Sequence, residues 1–200
     1  MTIKSYDIMF VFSKKAPTSY NTIFTHRTVG LDLKSKERGL LIKFISEDTL
    51  NHISLHDCVI EEVSTAGQNL LVIFEHIDVK SDHPLNDTGK AMYTGKALFT
   101  FVDIEILDSI LYDTSGIRGK RRVVVEEDSQ KIELDITELL VDFEVLRNDE
   151  IRIEDSYYIH RFDGLTSLKY NADFGYWIIK YKKLIIEWEE FIDTAWFEKR

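Results

Sequence analysis

The last stretch of the chain, Phe174 to Phe197, reads FGYWIIKYKKLIIEWEEFIDTAWF and holds all three tryptophans with a single glycine and no proline. So apolar a segment must be buried, whatever its secondary structure. On a helical wheel of ~100° per residue, Trp177, Ile178, Tyr181, Leu184, Ile185, Trp188, Phe191, Ile192, Ala195 and Trp196 fall in one arc, and only Ile179 and Ile186 spoil it. Read as strands, the same residues divide into Gly175–Tyr181 and Leu184–Glu190, separated by a Lys182-Lys183 turn that lacks Gly or Asn. The β-branched and aromatic content favours strands. In either form the segment is expected to bury Trp177, Trp188 and Trp196.

The rest of the chain supports the strand reading. Short runs rich in Val, Ile, Phe and Tyr recur between polar turns. Tyr6–Phe12 and Leu40–Ile45 are candidate strands. Cys58–Val63 and Leu70–Glu75 flank Thr65-Ala66-Gly67-Gln68-Asn69, whose Gly67 and Asn69 suit a hairpin loop. Ala97–Leu107 predicts one strong strand, with Phe99 and Phe101 on one face. Gly116 to Arg122 forms a basic turn leading into Val123–Val125, Glu126–Gln130 forms another turn, and Ile132 and Leu134 begin the return strand. Ile136–Arg147 fits both periods. The Arg147-Asn148-Asp149 turn before Ile151-Arg152-Ile153 tips it to a hairpin strand.

These elements predict a mainly β chain: an antiparallel sandwich or partly open barrel built from hairpins, with at most one or two short helices. A C-terminal helix over 177–196 is the alternative. Residues 1–50 read as an N-terminal extension packing on the main body, and residues 51–200 as the main β-rich domain. Within that domain, 56–107 and 140–188 resemble each other faintly. Phe99-Thr100-Phe101-Val102-Asp103-Ile104 aligns with Ile179-Lys180-Tyr181-Lys182-Lys183-Leu184. Residues 77–96 form the longest low-hydrophobicity stretch, and a loop of that length is usually functional or disordered.

Composition narrows the function. With 44% of its residues hydrophobic and 12% aromatic, the chain has ample material for a core. The net charge is −10. Residues 1–50 carry eight Lys+Arg against five Asp+Glu, and residues 51–200 seventeen against thirty. An acidic body repels nucleic acid, whose binding rests on phosphate neutralisation, and suits a basic protein partner. Cys58 is the only cysteine, so no disulfide forms within the chain, as suits a reducing cytoplasm. Ile8–Phe12 is too short for a secretory signal, and no apolar run reaches the ~18 residues of a membrane helix. The expected setting is cytoplasmic, away from membranes and nucleic acid.

Candidate chemistry is sparse. His52, His56, His76 and His83, with Asp57 and Asp82, are the candidate metal ligands, since imidazole and carboxylate suit zinc. No HExxH or paired CxxC spacing supports them, and solvated loop histidines are the ordinary alternative. Cys58 beside His56 or His76 suggests a thiol nucleophile, although a small buried hydrophobe is its ordinary role. Gly116-x-x-Gly119-Lys120-Arg121-Arg122 departs from a phosphate-binding loop because Arg121 stands where Ser or Thr is needed. No catalytic residue and no cofactor is assigned.

Leu55-His56-Asp57-Cys58 opening a hairpin, with Ile186-Glu187-Trp188-Glu189-Glu190-Phe191 and Ala195-Trp196-Phe197-Glu198, resembles a group of small uncharacterised bacterial β-rich proteins. The resemblance covers residues 53–198. In that group Gly is frequent before the final Ala-Trp, where this chain has Ile192-Asp193-Thr194. It implies strands in the tail and carries no activity.

Three functional expectations remain. The first is a non-catalytic binding protein, in concrete form an immunity-type protein that neutralises a basic partner. The second is a metal-binding or metal-dependent protein using the His52–His83 region. The third is a carbohydrate-binding sandwich that stacks sugars on Tyr157, Tyr158 and Tyr176.

Overall fold

Strand-forming residues dominate, and in the computed structural model the described residues 43–116, 125–154, 156–166 and 173–199 form antiparallel sheets. The strands are β1 (Phe44–Glu47), β2 (Ile53–Ser54), β3 (Cys58–Ala66), β4 (Asn69–Phe74), β5 (Asp78–Val79), β6 (Met92–Thr94), β7 (Ala97–Val102) and β8 (Glu105–Asp113). They continue with β9 (Gln130–Glu133), β10 (Glu144–Glu154), β11 (Tyr157–Thr166), β12 (Asp173–Tyr181), β13 (Lys183–Trp188) and β14 (Phe191–Thr194). Among the described residues two four-residue α-helical turns, α1 (Val125–Asp128) and α2 (Ile136–Leu139), interrupt them, with 3-10 turns at Leu50–His52 and Trp196–Lys199. No helix among the described residues is long and apolar enough to cross a membrane. The expected strand at Tyr6–Phe12, Val123 and Val124 of the expected Val123–Val125 strand, and the basic turn beyond Gly116 lie outside the described residues, while Val125 begins α1 and is not a strand residue.

Ten strands make one sheet in the order β1-β13-β7-β4-β3-β10-β11-β12-β8-β9, and its ends do not meet. The sheet doubles over on itself. Phe101 on β7 meets Tyr181 and Trp177 on β12 and Phe162 on β11, with ring centroids 5.1, 6.0 and 6.2 Å away. Phe162 and Trp177 stack at 4.0 Å. The inner faces of both halves thus form one core.

The strand order has an internal symmetry. Within the large sheet, two sets of strands follow the same order. Three neighbouring strands, β3-β4-β7 or β10-β11-β12, are followed by a corner from which the next strand crosses to the other half. Strand β8 leaves β7 to pair with β12, and β13 leaves β12 to pair with β7. The two corners touch where the Lys182 amide donates to the Val102 carbonyl at 2.9 Å. The residues aligned from sequence, Phe101 with Tyr181 and Phe99 with Ile179, occupy equivalent places before the corners and are buried.

This explains the Lys182-Lys183 turn without Gly or Asn. Strands β12 and β13 are not a hairpin, so no tight primed turn is required. The tail is β-structure and not a 177–196 helix. Trp177, Ile179 and Tyr181 share the core face of β12, and Tyr176, Ile178 and Lys180 the other. Trp196 departs from expectation. It opens a short 3-10 turn after the last strand and is 39% exposed.

Other local expectations need correction. Ala97–Leu107 is two strands, because Asp103 takes a positive φ of 56° and turns the chain at the corner. Asn69 Oδ1 accepts the Asp103 amide there at 3.2 Å. Ile136–Arg147 is part helix: Asp135 caps α2 by accepting the Thr137 amide at 2.8 Å, and Ile136, Leu139 and Leu140 turn inward. Asp142, with φ of 52°, ends that turn, and β10 begins at Glu144. The Arg147-Asn148-Asp149 segment is no turn. It runs on inside β10 opposite Asp163, Phe162 and Arg161. Residues 44–47, within the expected N-terminal extension, form an edge strand on β13, and residues 1–42 lie outside the described residues.

Gly164 and Gly175 are paired across β11 and β12 beneath the Phe143 ring. A Cβ at Gly164 would collide with the Glu144 carbonyl and that ring, so Gly164→Ala is expected to destabilise by ~3 kcal/mol in urea unfolding. Trp177 is fully buried, and its indole N–H has no hydrogen-bond partner. Trp177→Ala should cost ~3–5 kcal/mol, whereas Trp177→Phe should cost under about half of that, because it sheds an unsatisfied donor while keeping a ring against Phe162.

Candidate functional site

The polar stretch 77–96 is an excursion between β4 and β7 that builds a second sheet, in the order β14-β6-β5-β2. Asn86 fastens it: its side-chain amide donates to the carbonyls of Lys90, Lys80 and Val79 at 2.8, 3.0 and 3.2 Å. The Ile77 amide donates to Thr94 Oγ1 at 3.1 Å. The C-terminus closes the unit, because the Ala195 amide donates to the Ala91 carbonyl at 2.9 Å and Glu198 Oε1 accepts the Ala91 amide at 3.1 Å.

The candidate histidines fall into two groups. His52 and His83 meet edge to face at 6.1 Å, with His52 Nδ1 3.2 Å from an Asp82 carboxylate oxygen. His83 is 2% exposed, and both of its nitrogens are engaged. The Leu85 amide donates to Nδ1 at 3.0 Å, which leaves the ring proton on Nε2, facing Ser46 Oγ at 3.0 Å and Thr49 Oγ1 at 3.2 Å. That tautomer cannot take a proton from Ser46, so the Ser46–His83 contact is a structural link. Burial, and then the neighbouring His52, push His83 down to about 4.

His56 and His76 lie elsewhere. His56 Nδ1 donates to the Leu146 carbonyl at 2.8 Å, and Nε2 stands 3.5 Å from Asp57. His76 stacks on Tyr93 at 4.6 Å, and burial lowers its basicity. Among the described residues, no group of three or more His, Cys, Asp or Glu side chains is arranged to hold a metal ion. Cys58 is fully buried near the carbonyls of Ser54 and His56. Burial, reinforced by Asp78, pushes its thiol upward, the reverse of what activates a nucleophile. The tyrosines considered for sugar stacking have protein neighbours. The Arg161 guanidinium covers Tyr176 at 4.2 Å, Tyr158 stacks on Tyr181, and Lys180 lies over Tyr157.

A different constellation emerges at the seam between the two sheets. Asp57, Glu61, Glu62 and Glu75 are all exposed. Asp57 and Glu75 both act electrostatically on His76 and Cys58, and Glu61, Glu62 and Glu75 all act on Lys96, whose ammonium contacts Glu61 at 2.6 Å. The Trp196 ring lies 6.3 Å from His56, beside Asp57. Ile192 is 57% exposed and abuts Gly95, next to Lys96. Acidic side chains and exposed apolar ones therefore share one face. Beneath it is Asp78, fully buried, with neither carboxylate oxygen hydrogen-bonded. Sequence reasoning missed Asp78 because Ile77-Asp78-Val79 sits in a stretch of loop-like composition. It missed this face because Trp196 was expected in the core.

No protein-family profile, curated protein or solved structure matches this chain.

The buried neutral histidines make stability pH-dependent. Unfolded histidine titrates near 6.5, whereas burial holds His83 and His160 at about 4. Between those values the unfolded chain binds more protons, so stability rises with pH through that window and is lost on acidification, by roughly 3 kcal/mol per residue. His83→Asn should flatten this acid limb in urea unfolding measured from pH 7 to pH 4.

Proposed function

We propose that this protein is a non-catalytic interaction protein that binds a basic protein partner through the face bearing Asp57, Glu61, Glu62, Glu75, Ile192 and Trp196. The observation that carries the reading is the coexistence of exposed apolar side chains with clustered carboxylates at one seam. Lysine and arginine would meet the carboxylates, while Trp196 and Ile192 supply the apolar contact that dominates binding energy in most interfaces. Long-range attraction from a chain of net charge −10 accelerates encounter with a cationic partner and makes it salt-dependent.

An immunity-type protein that neutralises a basic toxin is the concrete form of this reading. A reducing cytoplasm is the proposed setting, in keeping with a single buried thiol.

The test is affinity capture from the native host, followed by binding kinetics with the purified captured protein. The expected result is a basic partner whose association rate falls steeply between low and physiological salt. Glu61→Lys/Glu62→Lys/Glu75→Lys should slow association at least tenfold, and Trp196→Ala should weaken binding by ~2 kcal/mol. A partner indifferent to both variants, or capture of no basic protein, would sink the proposal.

A further inference from the structure

Asp78 is one of two residues in β5, an inner strand that pairs with β2 through Ser54 and with β6 through Tyr93. Its side chain is fully buried, and neither carboxylate oxygen has a hydrogen-bond partner. A buried carboxylate without a donor or a cation is strongly disfavoured, whereas the protonated acid carries no net charge.

The groups around it do not offset that charge. Cys58 on β3 contributes a protonated thiol, and Tyr93 on β6 a neutral phenol whose ionisation burial also opposes. Asp57, ahead of β3, and Glu75, at the end of β4, are acidic, as is Asp193, which pairs with Tyr93 from β14. His76, which follows Glu75, is held toward its neutral form. His56 is turned to the Leu146 carbonyl and Asp57. Lys80, two residues along, sends its ammonium to the Asn51 carbonyl at 2.8 Å.

We propose that the four-stranded sheet is a pH-responsive unit, held shut while Asp78 is protonated and loosened when Asp78 ionises. The strands of this sheet are two to four residues long, so few backbone bonds resist its opening. Trp196 and Ile192 ride on β14 and the turn after it, so the same protonation sets how rigidly that face is held. The inference concerns the fold itself and stands whether or not the face binds a basic partner.

Burial first, and then Asp57, push Asp78 up to about 6, against roughly 3.9 in an unfolded chain. Below the unfolded value both states are protonated and the sheet has its full stability. As pH rises toward 6 only the open state releases the proton. The opening constant then grows about tenfold per pH unit, roughly a hundredfold in all, and levels off above pH 6. His76 and His83 work in the opposite sense, since acid protonates rings that burial keeps neutral, so the Asp78 contribution is the difference between the native protein and an Asp78→Asn variant.

Amide hydrogen exchange of the full-length protein, corrected for intrinsic rates, reads this directly. The ratio of protection in the native protein to that in Asp78→Asn at Val79 and Thr94 should fall by roughly a hundredfold between pH 4 and pH 6.5, while the same ratio for amides of β11 and β12 shows no such drop. Asp78→Asn should keep only the histidine dependence, in which protection rises with pH. A ratio that does not fall over this range overturns the proposal. Should Asp78→Asn fail to fold, a carbon-13 titration of the Asp78 carboxyl in the native protein decides. A midpoint near 6 supports the proposal, and one at or below 4 overturns it.

Discussion

The contact on which the rest of the structure depends is Phe101 against Tyr181, Trp177 and Phe162. A ten-stranded antiparallel sheet is too wide to remain flat and must curl or fold over. Here the two corners do the folding, and Phe101 and Tyr181 are the last core residues before each. Because β8 and β13 exchange halves at these corners, neither half can leave without unpairing a strand from the other. The aromatic cluster and the exchanged strands stabilise the same event, closure of the sheet on its own inner face.

The second sheet depends on that closure. Strands β5 and β6 lie between β4 and β7, two neighbouring strands of the main sheet, so the spacing of their anchor points is set by the large core. A four-stranded sheet of such short strands is marginal alone. Asn86 and the C-terminal clip through Ala91 complete it. The outcome is a small, locally weak unit on a rigid base, with carboxylates and apolar groups displayed on one side and an unpaired carboxyl inside. Binding surfaces and local switches are commonly drawn from segments of that kind.

Much of the architecture was legible in individual residues. Gly67, with φ of 64°, marks the hairpin turn between β3 and β4. The alternation of Trp177, Ile179 and Tyr181 tells of a strand, although the surrounding apolar residues also draw a helical arc. The resemblance of residues 99–104 to 179–184 falls on the two corners. The candidate site was less legible. Four histidines within 32 residues suggested a cluster, but only His52 and His83 meet, His56 and His76 lie elsewhere, and His83 is consumed by Leu85, Ser46 and Thr49. Asp78 was invisible, since nothing in Ile77-Asp78-Val79 signals burial of all three side chains.

By itself the sequence determined the class of the fold: β-branched and aromatic runs broken by turn residues form antiparallel strands, and so apolar a tail must enter a core. It also determined the acidic character of the chain, which is a matter of counting charges. Only the tertiary structure decided which strands pair, that Lys182 is a corner and not a hairpin tip, and that Trp196 faces outward while Asp78 faces in. Side-chain period is a local property, readable from neighbours along the chain. Pairing and burial are set by segments far apart in sequence, here by β7 meeting β13 and β12 meeting β8, and no local pattern encodes those distances.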